Sequence, residues 1–364
     1  MKIRYIVIPI MLVVFILSLT PWGLWLLKKE VSIEMTVIDK TVPQTDYREH
    51  LALFWVNKHL KLTKPDGSFY EIEKDYQGYK PGNRNTETTL TIPQNQGIIY
   101  VTDTYGVYNE DIEGNPLGKR SDLLYGGLTI FDWNNVMSAK NDNTTLILEF
   151  NTIASPTAPF VRDIVEKNMG IIWTGWIGRY FPNLNSLEVP IWLKENYEKQ
   201  YGEKWEFSGK GLVFLNDNDH VIVLDKDEIK GAVEFHLTDA GLEKYPKVRN
   251  SIYGYWFDIV SPVDDSSVVE ANYHVAYTNK GKKKLLELGI PTTIPAVIHH
   301  EQNRTYYFAG DFADISTNHQ SHWVLPLPFY WVMGLINKDE NFFWRSYIPL
   351  MEKIYEDIKR KDYD

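Results

Sequence analysis

The sequence predicts an α/β fold: a mostly parallel sheet flanked by helices, extended by a β-rich C-terminal part and preceded by an N-terminal transmembrane helix. Three observations lead there. Residues 5–27 carry no charge, short apolar runs alternate with helical periodicity from residue 31, and strand-like runs beyond about residue 205 follow one another without helical crossovers. The expected organisation is an anchor over 1–29, an α/β domain over 30–215 and a β-rich extension with a C-terminal helix over 216–364.

At 1.5 Å per residue the 23 positions YIVIPIMLVVFILSLTPWGLWLL are long enough to cross a hydrocarbon core of about 30 Å. Bulky Trp22, Trp25 and Leu27 stand where a cleaved signal peptide would place small residues, which favours an uncleaved signal anchor. Lys2 and Arg4 precede the run and Lys28 and Lys29 follow it, so the charge rule leans slightly towards a cytoplasmic N-terminus and an extracytoplasmic bulk. The partner implied by residues 5–27 is a membrane, spanned once.

The strands and helices are read in order. VSIEMTVID (31–39) is a strand. Asp46 with Glu49 three residues on is a capping-box-like helix start before Leu51, Phe54 and Trp55. Residues 64–89, rich in Gly, Pro and Asn, read as hairpin or loop. GIIYVTDTYG (97–106) is the second strand, GGLTIFDW a helix approach and TTLILEFN (144–151) the third strand. Ser155 before Pro156 is a helix-start signal, and IIWTGW (171–176) is the fourth strand. In the second half, strands are expected over 211–215, 220–225, 232–237, 268–277 and 305–312, with a helix over 280–289. The apolar stretch 323–336 is too short and Pro-rich for a second span, and an amphipathic helix closes the chain.

Composition narrows the function. The 364 residues are 44% hydrophobic and 24% charged, as in globular proteins, and 14% are aromatic. With no Cys, disulfides, thiolate metal sites and cysteine nucleophiles are excluded. A net charge of −10 argues against a nucleic-acid partner.

Ligands of open parallel sheets bind beyond the carboxyl ends of the strands. Here those ends are polar: Asp39 and Lys40, Asp103 and Tyr105, Glu149, Asn151 and Ser155, then Trp176 and Arg179. Asp311, in the GDFAD segment that ends a strand, joins them. Glu149 with Asp103 has the residue types for acid–base hydrolysis, or the two carboxylates pair with Lys40 and Arg179 as a structural network. Ser155 is either a helix cap or a nucleophile, and no G-x-S-x-G surrounds it. Arg179, with Gly175 and Gly178 just before it, suits a carboxylate or phosphate clamp. Trp173, Trp176 and Trp192 serve a core or sugar stacking. His299, His300, Glu301, Asp311, Asp314, His319 and His322 offer metal-ligand types, but neighbours on a strand face opposite ways, so the default is no metal and no cofactor.

The first-strand–helix order, the DTYG strand end, the GG-L-DW helix approach and the EFN-x-x-ASPT strand–turn–helix resemble a class I glutamine amidotransferase-like domain, in the broad flavodoxin-like sense, over residues 31 to about 215. That family's nucleophilic Cys would fall in NTIASPT, where this chain has none, so the resemblance implies a fold and a site location without glutamine hydrolysis. It also implies a cell-envelope, carbohydrate-processing context. The resulting expectation is a membrane-anchored ligand-binding or accessory protein of envelope polysaccharide metabolism, holding a glycan or small polar ligand. A glycoside or ester hydrolase and a structural membrane-complex subunit are the alternatives, and protein partners are not indicated.

Overall fold

The computed structural model describes residues 2–82, 89–113, 118–317 and 323–361. Along the chain run α1 (Lys2–Leu27), β1 (Val31–Ser32), β2 (Met35–Asp39), α2 (Arg48–His59), β3 (Leu62–Thr63), β4 (Gln77–Gly78), β5 (Ile98–Asp103), β6 (Val107–Tyr108) and α3 (Asn109–Glu113). Next come β7 (Leu123–Tyr125), α4 (Ile130–Ala139), β8 (Thr145–Glu149), α5 (Pro159–Met169), β9 (Ile171–Phe181), α6 (Ile191–Tyr201), β10 (Gly211–Asn216) and β11 (Val221–Leu224). The last third holds β12 (Ile229–Leu237), α7 (Asp239–Lys244), β13 (Ser251–Ile252), β14 (Phe257–Pro262), β15 (Ser267–Tyr277), α8 (Asn279–Glu287), β16 (Ile294–His300) and β17 (Thr305–Phe308). It closes with α9 (Leu327–Ile336), a π-helical turn (Phe343–Tyr347) and α10 (Ile348–Lys361).

The fold is mixed α/β. A nine-stranded sheet has the order β13-β12-β15-β16-β17-β8-β5-β2-β4, and a four-stranded antiparallel sheet the order β11-β10-β9-β14. In the large sheet β17, β8, β5, β2 and β4 run parallel, whereas β13, β12, β15, β16 and β17 pair antiparallel. The sheet is therefore half parallel, where the sequence suggested mostly parallel. β2, β5 and β8 are buried at every position, as expected of strands covered on both faces. Tyr355 on α10 donates to Asn57 on α2, joining the helices of one face, and Trp133 on α4 donates to Asn168 on α5 on the other.

Three local readings are corrected. IIWTGW is not the fourth strand of the parallel sheet: it opens β9 of the small sheet, and β17 takes the place beside β8. Ser155 does not cap a helix. The Ser155–Pro156 bond is cis, Thr157 ties the turn by donating to Thr152 O, and α5 begins only at Pro159, after Ala158. The helix expected from Asp46 starts at Arg48 behind Tyr47 in the left-handed region, with no side-chain cap. By contrast, the GG-L-DW approach becomes α4 with a complete capping box between Thr129 and Asp132. The division expected near residue 215 falls within the small sheet, because β10 pairs with β11, and the large sheet draws strands from both sides of it.

The two sheets meet along β14, whose Asp258 side chain accepts from the Tyr307 hydroxyl of β17. Gly310, just past β17, bridges Phe257 of β14, and Asp258 N donates to Ala309 O at 3.1 Å. A Cβ on Gly310 would lie 2.2 Å from the hydroxyls of both Tyr253 and Tyr273. Only glycine lets the chain pass between them, and the next residue is Asp311.

Candidate functional site

The parallel strands β17, β8, β5 and β2 are adjacent, so their carboxyl ends lie side by side. Phe308 is in register with Glu149, and Asp39 with Asp103. Asp311, Glu149, Asp103 and Asp39 thus stand on one rim. The structure adds Arg48, Glu49 and His50 from the first turn of α2 and Asp314 from the turn after β17. The sequence signals for these are slight: Glu49 reads as part of a cap and Asp314 as a metal-ligand type.

The rim carboxylates differ in what they are free to do. Glu149 is buried and occupied: Oε1 accepts from the Tyr100 hydroxyl, and Oε2 accepts from Phe312 N and Ala313 N at 2.8 and 3.1 Å. It pins the turn that carries Asp311 to the end of β8. Burial raises its pKa well above the usual carboxylate range, against the hydrogen bonds. Asp39 Oδ1 accepts from Thr41 N, and Oδ2 lies 2.6 Å from His50 Nδ1, whose other nitrogen faces Ile72 O. Both ring nitrogens of His50 therefore point at acceptors.

Asp103 Oδ1 accepts from Tyr105 N at 2.6 Å and from Thr41 Oγ1 at 2.8 Å, with Asn151 Nδ2 3.5 Å from Oδ2. Its pKa is pushed up to about 7, by burial first and then by Asp39. Asp311 makes no side-chain hydrogen bond among the described residues, and burial followed by the charges of Asp103, Asp314 and Glu149 raises its pKa well above normal. Glu49 is raised too, by burial, Asp39 and Asp314, and its Oε2 has no partner among the described residues. Crowded carboxylates in a low dielectric disfavour the ionised form, and such clusters mark functional sites more often than chance.

Two cations answer them. Arg48 holds Asp314 through two bonds, Nε to Oδ1 at 3.0 Å and Nη2 to Oδ2 at 2.6 Å. Arg179 reaches the rim from β9 of the other sheet. Burial lowers its pKa, while Glu188, Asp311 and Asp314 act in the opposite direction. Among the described residues its Nε has no hydrogen-bond partner and its ion-pair oxygen is Glu188 Oε2 at 3.6 Å, and its guanidinium lies over Phe181 at 4.9 Å. Tyr105, 39% exposed, offers an aromatic face beside Tyr108 at 4.9 Å.

Other sequence-derived candidates have different surroundings. Lys40 is buried and committed to Asp132 at 2.6 Å and Gly127 O at 2.9 Å, a structural pair. Ser155 is exposed on its turn and makes no side-chain hydrogen bond among the described residues. Trp176 faces His220 at 5.9 Å, three residues or about 10 Å along β9 from Arg179. Trp173 is in the core beneath Arg162. His299 and His300 do face apart: His299 joins Glu270 and Lys244, whereas His300 faces the Asn303 turn. Among the described residues no group of three His, Asp or Glu is placed to hold a metal ion, and His319 and His322 lie outside those residues. A recess of about 260 Å³ between Lys140, Leu146, Asn168 and Thr305 opens at the opposite ends of β8 and β17 and is separate from the rim.

No protein-family model matches the chain, and no curated protein sequence matches it.

Proposed function

We propose that the rim is a binding site for a hydroxyl-rich polar ligand of the carbohydrate class, in an anchored accessory protein of envelope polysaccharide metabolism whose bulk lies outside the cytoplasm. The observation that carries this reading is Asp311: a half-buried carboxyl with no hydrogen-bond partner among the described residues, set among Asp103, Asp314 and Glu149, with the unpartnered Nε of Arg179 nearby. A carboxyl with a raised pKa donates when protonated and accepts when ionised, so it matches hydroxyls that do both. Arg179 supplies a fork for a uronate or phosphate group, and Tyr105 a face for a sugar ring. The parallel run β4-β2-β5-β8-β17, with Asp103 and the Glu149–Ser155 turn at its ends, supports an amidotransferase-like, flavodoxin-like reading of this half.

The test is calorimetric titration of the full chain in detergent with neutral and uronic-acid oligosaccharides and with nucleotides. Losing one charge-assisted hydrogen bond corresponds to about 1.5–3 kcal/mol, so Asp311→Asn and Arg179→Ala should each weaken binding by roughly 10- to 100-fold. Absence of binding across the panel, or binding indifferent to both substitutions, rejects the reading. A hydrolase is the second reading, favoured by the neighbouring raised carboxyls of Asp103 and Asp311. It requires turnover that Asp103→Asn abolishes in a folded protein.

A further inference from the structure

The base of α1 is built into the domain. Trp25 is 9% exposed, its Nε1 donates to His59 O at 3.1 Å, and Lys61 Nζ donates to Leu26 O at 3.0 Å. Trp323 packs edge-on against Trp25 at 4.3 Å and Trp22 at 5.2 Å. Trp323 leads directly into α9, whose Tyr330 hydroxyl lies 2.7 Å from His59 Nδ1, the nitrogen that also bonds Trp323 O at 2.6 Å. The point where the apolar N-terminal helix enters the domain and the start of α9 are therefore one structure.

The sequence LPFYWVMGLI of α9 holds no charged side chain. Its inner face is fixed, with Tyr330 buried and Gly334 so close to Arg345 that a Cβ would meet Cγ at 2.6 Å. Its outer face is Phe329, Val332, Leu335 and Ile336, which at this spacing form one stripe and are 51–73% exposed. Ten residues span about 15 Å, half of a hydrocarbon core, so this helix does not cross a bilayer. Beside the entry of α1 stand Trp22, exposed Lys29 and Lys58, and half-buried Lys28, the aromatic and cationic types that sit at headgroup level.

The geometry points to α9 lying in the plane of the membrane, with its outer stripe inserted in the headgroup–acyl boundary of the leaflet that α1 leaves. The partner is a phospholipid bilayer, and the choice rests on continuity with α1 read as the anchor. One spanning helix alone leaves a domain free to tumble. An in-plane helix beside it gives a second contact and fixes which face meets the lipid.

The cysteine-free chain suits site-directed spin labelling. Leu335→Cys, Val332→Cys, Leu19→Cys in α1 and Leu187→Cys, which is 98% exposed, are each labelled in the full chain reconstituted in phosphatidylcholine–phosphatidylglycerol vesicles. Accessibility to oxygen and to a water-soluble nickel chelate is then read. The expected result is nickel protection with oxygen access at 332 and 335, roughly 5–10 Å deep, a deeper Leu19 label and a nickel-exposed Leu187 label. Nickel exposure at 332 and 335 with Leu19 still deep overturns the inference and leaves the anchor standing. Protection from both reagents at 332 and 335 assigns the stripe to a protein contact and overturns it equally. A nickel-exposed Leu19 removes the anchor and this inference with it.

Discussion

Replacing Asp103 by Asn should make the protein more stable at neutral and higher pH and less stable near about pH 4.5. The carboxyl is 8% exposed, and its pKa moves from 3.8 to about 7 on folding, chiefly by burial and then by Asp39. A group with a raised folded pKa binds more protons in the folded than in the unfolded state between those values. Stability is therefore fully present below about pH 4 and falls as pH rises through about 7. Three units at about 1.4 kcal/mol each place the loss near 4 kcal/mol. Asn at this position still accepts from Tyr105 N and Thr41 Oγ1, but more weakly, at a cost of about 1–2 kcal/mol. The variant should gain roughly 2 kcal/mol over the parent at about pH 8 and lose roughly 1 kcal/mol at about pH 4.5, so the two stability curves cross. Urea unfolding of the full chain in detergent, followed by tryptophan fluorescence, reads both points. Equal destabilisation at the two pH values would refute the reasoning, because it would mean that the folded site favours the carboxylate. A fold that retains an unfavourable carboxyl at a strand tip is consistent with a group kept for binding at the expense of stability.

Glu149→Ala should destabilise by about 2–4 kcal/mol, since it orphans Ala313 N and removes one partner each from Phe312 N, which keeps Gly310 O, and from the Tyr100 hydroxyl, which keeps Tyr347. Glu149→Gln keeps acceptors for the two amides and should cost about 1–2 kcal/mol in the same urea assay. Lys40→Met leaves Asp132 buried and unpaired and should cost about 3–5 kcal/mol. Adding Asp132→Asn, which still caps Thr129, should recover most of it in a thermal melt.

Much of the rim was legible in the chain because β2, β5 and β8 are continuous apolar runs ending in an acidic residue. That pattern follows from burial on both faces along the strands, with the first ionisable group at each carboxyl end. The strand neighbours were not legible. β9 has the residues of a parallel core strand, yet it takes antiparallel partners, and nothing local distinguishes the two pairings. Arg179 consequently reaches the rim from another sheet, by a route the sequence did not suggest. Ser155 misled because Ser-Pro commonly opens helices, whereas here Thr157 and Arg162, whose Nε donates to Ile153 O, hold four residues in a turn first. Arg48, Glu49 and His50 were hidden by helical periodicity, which places polar residues on a solvent face. In α2 the first turn is aimed into the rim, where Arg48 meets Asp314 and His50 meets Asp39.

The seam at Gly310 has a mechanical meaning. The carboxylates ride on one sheet and Arg179 on the other, and near Asp311 the joint is the Phe257–Gly310 bridge with its Asp258 N to Ala309 O bond. The seat of Arg179 relative to the acids is thus set by bonds between the sheets, the main-chain pair together with the Tyr307 hydroxyl on Asp258. A guest that outgrows the swing of the Arg179 side chain must pry two β-layers apart along their common edge, where Tyr253 and Tyr273 crowd Gly310.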